Sequence, residues 1–302
     1  RSLQMGKIAI VFPGQGAQYK GMGLETAKNS SAASELFEKL DGIRPGTSKQ
    51  CFEGTDEELK ETKNTQPCIF AVEMATAAAL REKGIEAQMA AGFSLGELSA
   101  LTYMDVFSLE DGFRLVCERG KLMQEASGKA DTFMAAVLKL SAEETEKICG
   151  AFNKIYPVNY NCPGQISVAG AKNEMRDFMK AVKDAGGRAL PLKVSGAFHS
   201  PYMTSASEAF GELLINKAVG TPSGILYSNM TGDVYPDNIR ETLAGQICSP
   251  VRWENIIRSM IRKGADTFIE AGPGSVLSGF IKKTDSSVKV YGESDIASLK
   301  RL

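Results

Sequence analysis

The stretch AQMAAGFSLGELSALT, Ala87 to Thr102, decides how the chain is read. Its opening, residues 87–91, is short and apolar and follows a turn, the pattern of a buried strand. Its second half is rich in Leu and Ala and predicts a helix through Thr102. Between them Gly92-Phe93-Ser94-Leu95-Gly96 fits G-x-S-x-G, and strand–turn–helix is the context that gives this motif meaning. The glycines permit a sharp turn that lifts the serine hydroxyl out at the strand end. The helix start beside it offers free N–H groups and a positive dipole end to a developing oxyanion. The plainer alternative is a serine that only caps a helix in a glycine-rich turn.

Upstream, the β-branched run Lys7–Phe12 predicts a buried strand ending in the turn Pro13-Gly14-Gln15-Gly16. Helices are expected over residues 34–40, over 65–83 with Thr65 as cap and Pro67 in its first turn, and from Ser108 to about Ala126. Then the rhythm changes. Strand 132–138, helix 141–150, strands 155–160 and 165–169, helix 172–185 and strand 188–194 follow in the order β-α-β-β-α-β, a ferredoxin-like unit. Helices at 202–216, 239–248, 253–263 and 276–283 and strands at 224–229 and 267–270 complete the chain. The expected fold class is α/β, a large α/β-hydrolase-like domain with a parallel sheet (residues 5–128 and 198–302) interrupted by a small ferredoxin-like subdomain (129–197). Residues 1–4, ahead of a plausible start at Met5, are expected to be a remnant foreign to the native chain.

The 302 residues carry a formal net charge of -1, which gives no long-range field toward nucleic acid or an acidic membrane. No apolar run is long enough to span a bilayer, and no signal-peptide layout opens the chain. The six cysteines are scattered without a C-x-x-C pair, as expected for reduced thiols in a cytoplasmic enzyme. On that reading Asn229-Met230-Thr231 is a sequon that meets no glycosylation machinery. No metal-ligand cluster stands out, and no metal or cofactor is expected.

A nucleophilic serine needs a base, and His199 is the only histidine in the chain. It sits in Gly196-Ala197-Phe198-His199-Ser200-Pro201, after the last strand of the inserted unit. If Ser94 uses an imidazole, this is the one. Lone histidines are more often satisfied core or surface residues, so spacing alone leaves the pairing open. An ordinary α/β-hydrolase is the rival fold reading. Three features oppose it: a long stretch follows His199, the His-Gly-rich oxyanion motif of many esterases is absent, and a small unit lies between nucleophile and base.

Taken together, IVFPGQGAQYKGMG (10–23), GFSLGE (92–97), ERGKLMQEA (118–126), NCPGQ (161–165), GAFHSPYM (196–203), QICSPVRW (246–253) and EAGPGSVLSG (270–279) resemble the malonyl-CoA:acyl carrier protein transacylases and the related acyltransferase domains of fatty-acid and polyketide synthases. The motifs follow the family's order and cover essentially the whole chain. The resemblance implies a ping-pong transfer of malonyl from malonyl-CoA, a substrate rather than a cofactor, to the phosphopantetheine thiol of an acyl carrier protein. Ser94 would carry the acyl group as an ester and His199 would act as base. The implied oxyanion donors are the backbone N–H groups of Gln15 and Leu95, and the implied holder of the imidazole is the backbone carbonyl of Gln246.

Arg119 matches the family's carboxylate-binding residue, whereas by sequence alone Arg114 and Lys121 on the same predicted helix are equal candidates. Phe198 matches the acyl pocket of malonyl-accepting domains, where a large ring crowds an α-methyl branch. Many relatives have His before the nucleophile. This chain has Phe93, and no role is carried to that position. Asn161 and Gln165 match too, although turn formation explains them. Because carrier proteins are usually acidic, Arg258, Arg262, Lys263, Lys282 and Lys283 are candidates for docking. A family member acting on another acyl group in polyketide synthesis, as transferase or hydrolase, is the alternative, and a non-catalytic carrier-binding scaffold is a third.

Overall fold

The computed structural model describes residues 6–194 and 196–300. Residues 1–4 and the possible start at Met5 lie outside the described residues. The larger sheet has the order β7-β2-β1-β8-β9, built from β1 (Lys7–Phe12), β2 (Met89–Gly92), β7 (Ile225–Leu226), β8 (Ala265–Glu270) and β9 (Lys289–Tyr291). All of its pairings are parallel. Along β1, Ile10 and Phe12 belong to one apolar cluster and Ala9 and Val11 to another. Both faces of the sheet are therefore covered, which is why its strands read as continuous apolar runs rather than as alternation. One face packs on the helix Thr62–Glu82 and its neighbours, the other on Trp253, Ile256 and Ile257 of the helix Trp253–Arg262.

The second sheet is antiparallel, with the order β4-β5-β3-β6. It comprises β3 (Thr132–Leu138), β4 (Ile155–Cys162), β5 (Gln165–Ala171) and β6 (Arg188–Pro191), with helices Ala142–Gly150 and Met175–Asp184 on one face. This is the strand order of a ferredoxin-like unit. It has its own apolar cluster centred on Phe133, Val168 and Phe178. A short parallel bridge, Tyr160 N–H to Val251 O at 2.9 Å and Val251 N–H to Val158 O at 2.8 Å, ties β4 to the loop ahead of Trp253.

Several expected boundaries move. The long helix starts at Thr62 rather than Thr65, with Pro67 inside it, because Asn64 and Thr65 N–H both already reach Glu61 O. Strand β2 begins at Met89, β4 continues through Cys162, β6 ends at Pro191, and β7 covers only Ile225–Leu226, leaving Asn229 beyond it. The short helices Leu24–Asn29, Thr47–Glu53 and Asp56–Lys60 and the strand β9 lie where no element was expected. Among the described residues, no helix is long and apolar enough to cross a membrane.

Candidate active site

Ser94 stands between β2 and the helix Gly96–Tyr103 with φ of 56°, in the left-handed region. Two glycines make that turn possible. A Cβ on Gly92 would lie 1.8 Å from Gly96 O, and one on Gly96 would lie 2.3 Å from Phe12 O. The serine turn thus presses against the end of β1. Phe93 N–H also donates to Phe12 O at 2.9 Å, which sets the Pro13–Gly16 turn beside the nucleophile. Among the described residues, neither Gln15 N–H nor Leu95 N–H is paired with an acceptor, while the Gln15 side chain donates to Thr62 Oγ1 at 3.2 Å.

His199 comes from the loop after the small sheet, and its Nε2 lies 2.7 Å from Ser94 Oγ. Its Nδ1 lies 2.9 Å from the Gln246 carbonyl oxygen. A carbonyl can only accept, so Nδ1 carries the proton and Nε2 is left to accept from the serine hydroxyl. The histidine backbone is itself in the left-handed region, φ 62°, and its N–H donates to Ile247 O at 3.1 Å. One segment, Gln246-Ile247, therefore holds both backbone and ring of the base. Burial and the neighbouring Arg119 push the imidazole down to about 4, so it is neutral at physiological pH.

Arg119 is fully buried on the inner face of the helix Leu109–Ser127. Its Nη1 donates to Gln66 Oε1 at 2.9 Å, and its Nη2 to Gln246 Oε1 at 2.8 Å and Ser94 Oγ at 3.3 Å. Both strong partners are neutral amides, and Nε has no partner among the described residues. Burial lowers this guanidinium to about 10, which still leaves it charged at neutral pH. Arg114 is exposed, and Lys121 pairs with Glu118 at 3.3 Å on the outside of the same helix. Of the three cations open to sequence reasoning, Arg119 is the one the fold brings to Ser94.

Phe198 is buried in the main apolar cluster. Phe93, half-buried, packs its ring 5.5 Å from that of Trp253. Asn161 is buried and donates to Ser167 Oγ at 3.4 Å, while Gln165 lies at the start of β5. Arg258, Arg262, Lys263, Lys282 and Lys283 are exposed on or just after helices Trp253–Arg262 and Val276–Thr284. Sequence reasoning missed Gln66, the Gln246 side chain and Asn229. Gln66 sits one position before the proline that was read as a helix-start signal, and Asn229 was read only as part of a sequon. Among the described residues, no group of three or more His, Cys, Asp or Glu side chains is placed to hold a metal ion.

The site thus brings together a serine hydroxyl, a neutral imidazole and a buried guanidinium whose hydrogen-bond partners among the described residues include no carboxylate, with the buried Glu97 carboxyl acting on it only through space. The acyl transferase domain family matches the chain over residues 9–301. A malonyl CoA-acyl carrier protein transacylase of Bacillus subtilis is 39% identical over 96% of this chain and 94% of that protein. The crystal structure of a malonyl CoA-acyl carrier protein transacylase from Clostridium perfringens superimposes with a TM-score of 0.92 at 37% identity, covering 98% of this chain and 94% of that one. A malonyl-transacylase solved in complex with its type II polyketide synthase acyl-carrier protein gives a TM-score of 0.92 at 32% identity, over 97% of this chain and 98% of that one.

Proposed function

The chain belongs to the acyl transferase domain family of malonyl CoA-acyl carrier protein transacylases, and from that premise we infer that it moves a malonyl group from coenzyme A to an acyl carrier protein through an ester on Ser94. The observation that carries the chemical part is the 2.7 Å contact between Ser94 Oγ and His199 Nε2. In the first half-reaction His199 Nε2 takes the hydroxyl proton while Oγ bonds to the thioester carbonyl. Negative charge collects on the carbonyl oxygen, where the free N–H groups of Gln15 and Leu95 are its donors. The carbon–sulfur bond then breaks, and the coenzyme A sulfur leaves with the proton from His199. In the second half-reaction the phosphopantetheine thiol gives its proton to His199 and attacks the ester carbonyl. The ester bond breaks, and the proton returns to Ser94.

The malonyl carboxylate is assigned to Arg119. A free carboxylate entering a dry site needs a paired cation, and a guanidinium offers a rigid two-pronged fork. Its bonds to neutral amides leave its charge uncompensated by direct contact, which favours malonyl over neutral acyl groups. Phe198 is assigned to the wall of the acyl pocket, against an α-methyl branch. Malonyl-CoA is a substrate, and the reaction as proposed uses no cofactor. The six cysteines are all unpaired, which suits a reducing compartment such as the cytoplasm.

The experiment is intact-protein mass spectrometry after mixing with malonyl-CoA in the absence of carrier protein. A malonyl adduct on Ser94, absent from Ser94→Ala and discharged by holo carrier protein, is expected. An adduct on any cysteine, or none at all, overturns the mechanism.

A further inference from the structure

Asn229 is wholly buried, so the sequon-like triplet that begins with it has no exposed amide for a glycan. Its side chain is used elsewhere. Nδ2 donates to Gly92 O at 2.6 Å, and Oδ1 accepts from Ser94 N–H at 2.8 Å. One carboxamide therefore spans the nucleophile turn, gripping the residue two before it and the nucleophile itself. The same Oδ1 also accepts from Gln246 Nε2 at 3.3 Å, and that Nε2 donates to Ser94 O at 2.8 Å. Gln246 is the residue whose carbonyl orients His199.

Asn229 is itself fixed from both sides. Its N–H donates to Glu97 Oε1 at 2.6 Å, and its carbonyl accepts from Arg252 N–H at 2.9 Å. Glu97, fully buried in the first turn of the helix that follows the nucleophile, is steadied in turn by Tyr235 OH at 3.1 Å.

We propose that Asn229 is a positioning residue for the transfer reaction, joining the turn that carries Ser94 to the segment that carries the base, so that the Ser94–His199 distance is set by its carboxamide. Two physical consequences follow. A residue with a Cβ is disfavoured in the left-handed region, so the Ser94 backbone persists only where its surroundings over-determine it. Asn229 supplies that constraint by accepting one end of the turn's N–H groups and donating to its carbonyl. It also commits Ser94 N–H away from the substrate, which leaves the N–H of Leu95 as the turn's contribution to the oxyanion. The partners of Asn229 are Gly92, Ser94 N–H, Glu97, Gln246 and Arg252 rather than Ser94 Oγ, so it acts through the geometry of the pair.

The role rests on the reading of Ser94 and His199 given above, and the test separates the two. Pre-steady-state acylation by malonyl-CoA is measured for wild type, Asn229→Ala, Asn229→Asp and His199→Ala, and for Asn229→Ala combined with His199→Ala. In Asn229→Ala the burst amplitude per folded protein should stay at the wild-type level while the acylation rate constant falls by about 10²-fold, the usual effect of a misplacement near 1 Å. Asn229→Asp keeps the acceptor and loses the donor to Gly92 O, so it should recover part of the rate. It decides the matter alone if the alanine variant does not fold. In the His199→Ala background the further loss should be under about threefold, since residues acting as a unit are not additive. A reduced amplitude with an unchanged rate constant makes Asn229 merely structural and overturns the proposal, as do losses that multiply in the double variant. Wild type that fails to acylate at Ser94 overturns the underlying reading instead.

Discussion

Arg119 and Gln66 meet through one hydrogen bond, guanidinium Nη1 to amide Oε1 at 2.9 Å, and among the described residues neither forms a hydrogen bond or ion pair with a carboxylate, although the buried Glu97 carboxyl acts on Arg119 through space. The helix Thr62–Glu82 thus holds a buried cation in place without neutralising it. A carboxylate at position 66 would have been the cheaper way to bury an arginine in a resting enzyme. The neutral amide keeps the positive charge available to a ligand, and the predictions about acyl selection follow from that.

The first of these concerns Arg119 itself. Malonyl differs from acetyl by its carboxylate, and leaving one member of a buried charged pair unpaired costs roughly 3–5 kcal/mol. Arg119→Ala should lose acylation by malonyl-CoA by about 10²-fold or more and keep or raise acylation by acetyl-CoA. Arg119→Lys should rescue only in part, because an ammonium cannot make the two-pronged contact. Rates for both thioesters with both variants decide it. A parallel fall for malonyl and acetyl would mean that Arg119 serves the fold alone.

The base gives a prediction in pH. Burial and Arg119 hold His199 at about 4 when folded, well below the ordinary histidine value. The acid limb of kcat/KM for acylation should therefore fall near pH 4, with activity declining as the ring protonates below it, and His199→Ala should abolish the limb and slow transfer by about 10²–10⁴-fold. The stability term has the same cause. An unfolded chain protonates this ring below about pH 6.5, and the folded one only near 4, so acidification between those values draws the chain toward unfolding. The unfolding free energy of wild type minus that of His199→Ala should decline across that window. A limb near pH 6.5 would show the imidazole to be more solvated than its packing indicates.

Much of this site was legible in the sequence because it is made of local signals. G-x-S-x-G between an apolar run and a Leu- and Ala-rich segment gives the strand, the strained turn and the helix together, and a single histidine leaves no choice of imidazole. The run from Thr132 to Pro191 alternates helix and strand patterns clearly enough for its topology to be read. What was not legible depends on convergence in space. Gln66, Asn229 and the Gln246 side chain are neutral amides from three separate segments, and nothing in their local sequence says that their polar ends meet at Arg119 and Ser94. The helices Leu24–Asn29, Thr47–Glu53 and Asp56–Lys60 were missed because each is one or two turns long and bears few buried apolar residues, so no 3.6-residue period develops.

Carrier recognition can be tested apart from the chemistry. Arg258, Arg262, Lys263, Lys282 and Lys283 are exposed on or just after two helices, where a solvated role is the ordinary one. Single charge reversals there should leave acylation by malonyl-CoA unchanged. At a true docking residue, reversal should slow delivery to holo carrier protein and flatten its salt dependence, because rim charges act mainly on the association rate. A loss shared equally by both half-reactions would instead indicate a coenzyme A contact or a folding defect.

The sharpest test of a guanidinium whose direct partners are all neutral is Gln66→Glu. The substitution is nearly isosteric and places an anion about where Gln66 Oε1 now accepts from Arg119 Nη1, at 2.9 Å. The new buried pair is hydrogen-bonded and opposite in sign, so the protein should fold normally. Its effect on substrates should be selective. A malonyl carboxylate would now approach a cation already neutralised and a like charge beside it, whereas an acetyl group brings no charge and meets the same Ser94, His199 and oxyanion donors. Acylation by malonyl-CoA should therefore fall by about 10²-fold or more, chiefly through weaker binding, and acylation by acetyl-CoA should change by less than about threefold. Gln66→Ala provides the contrast, since it frees Arg119 without neutralising it and should cost malonyl much less. Measuring kcat and KM for both thioesters with both variants separates charge from positioning. If Gln66→Glu and Gln66→Ala lost malonyl activity to the same extent, the amide would serve only to hold Arg119 in place, and its neutrality would have no part in acyl selection.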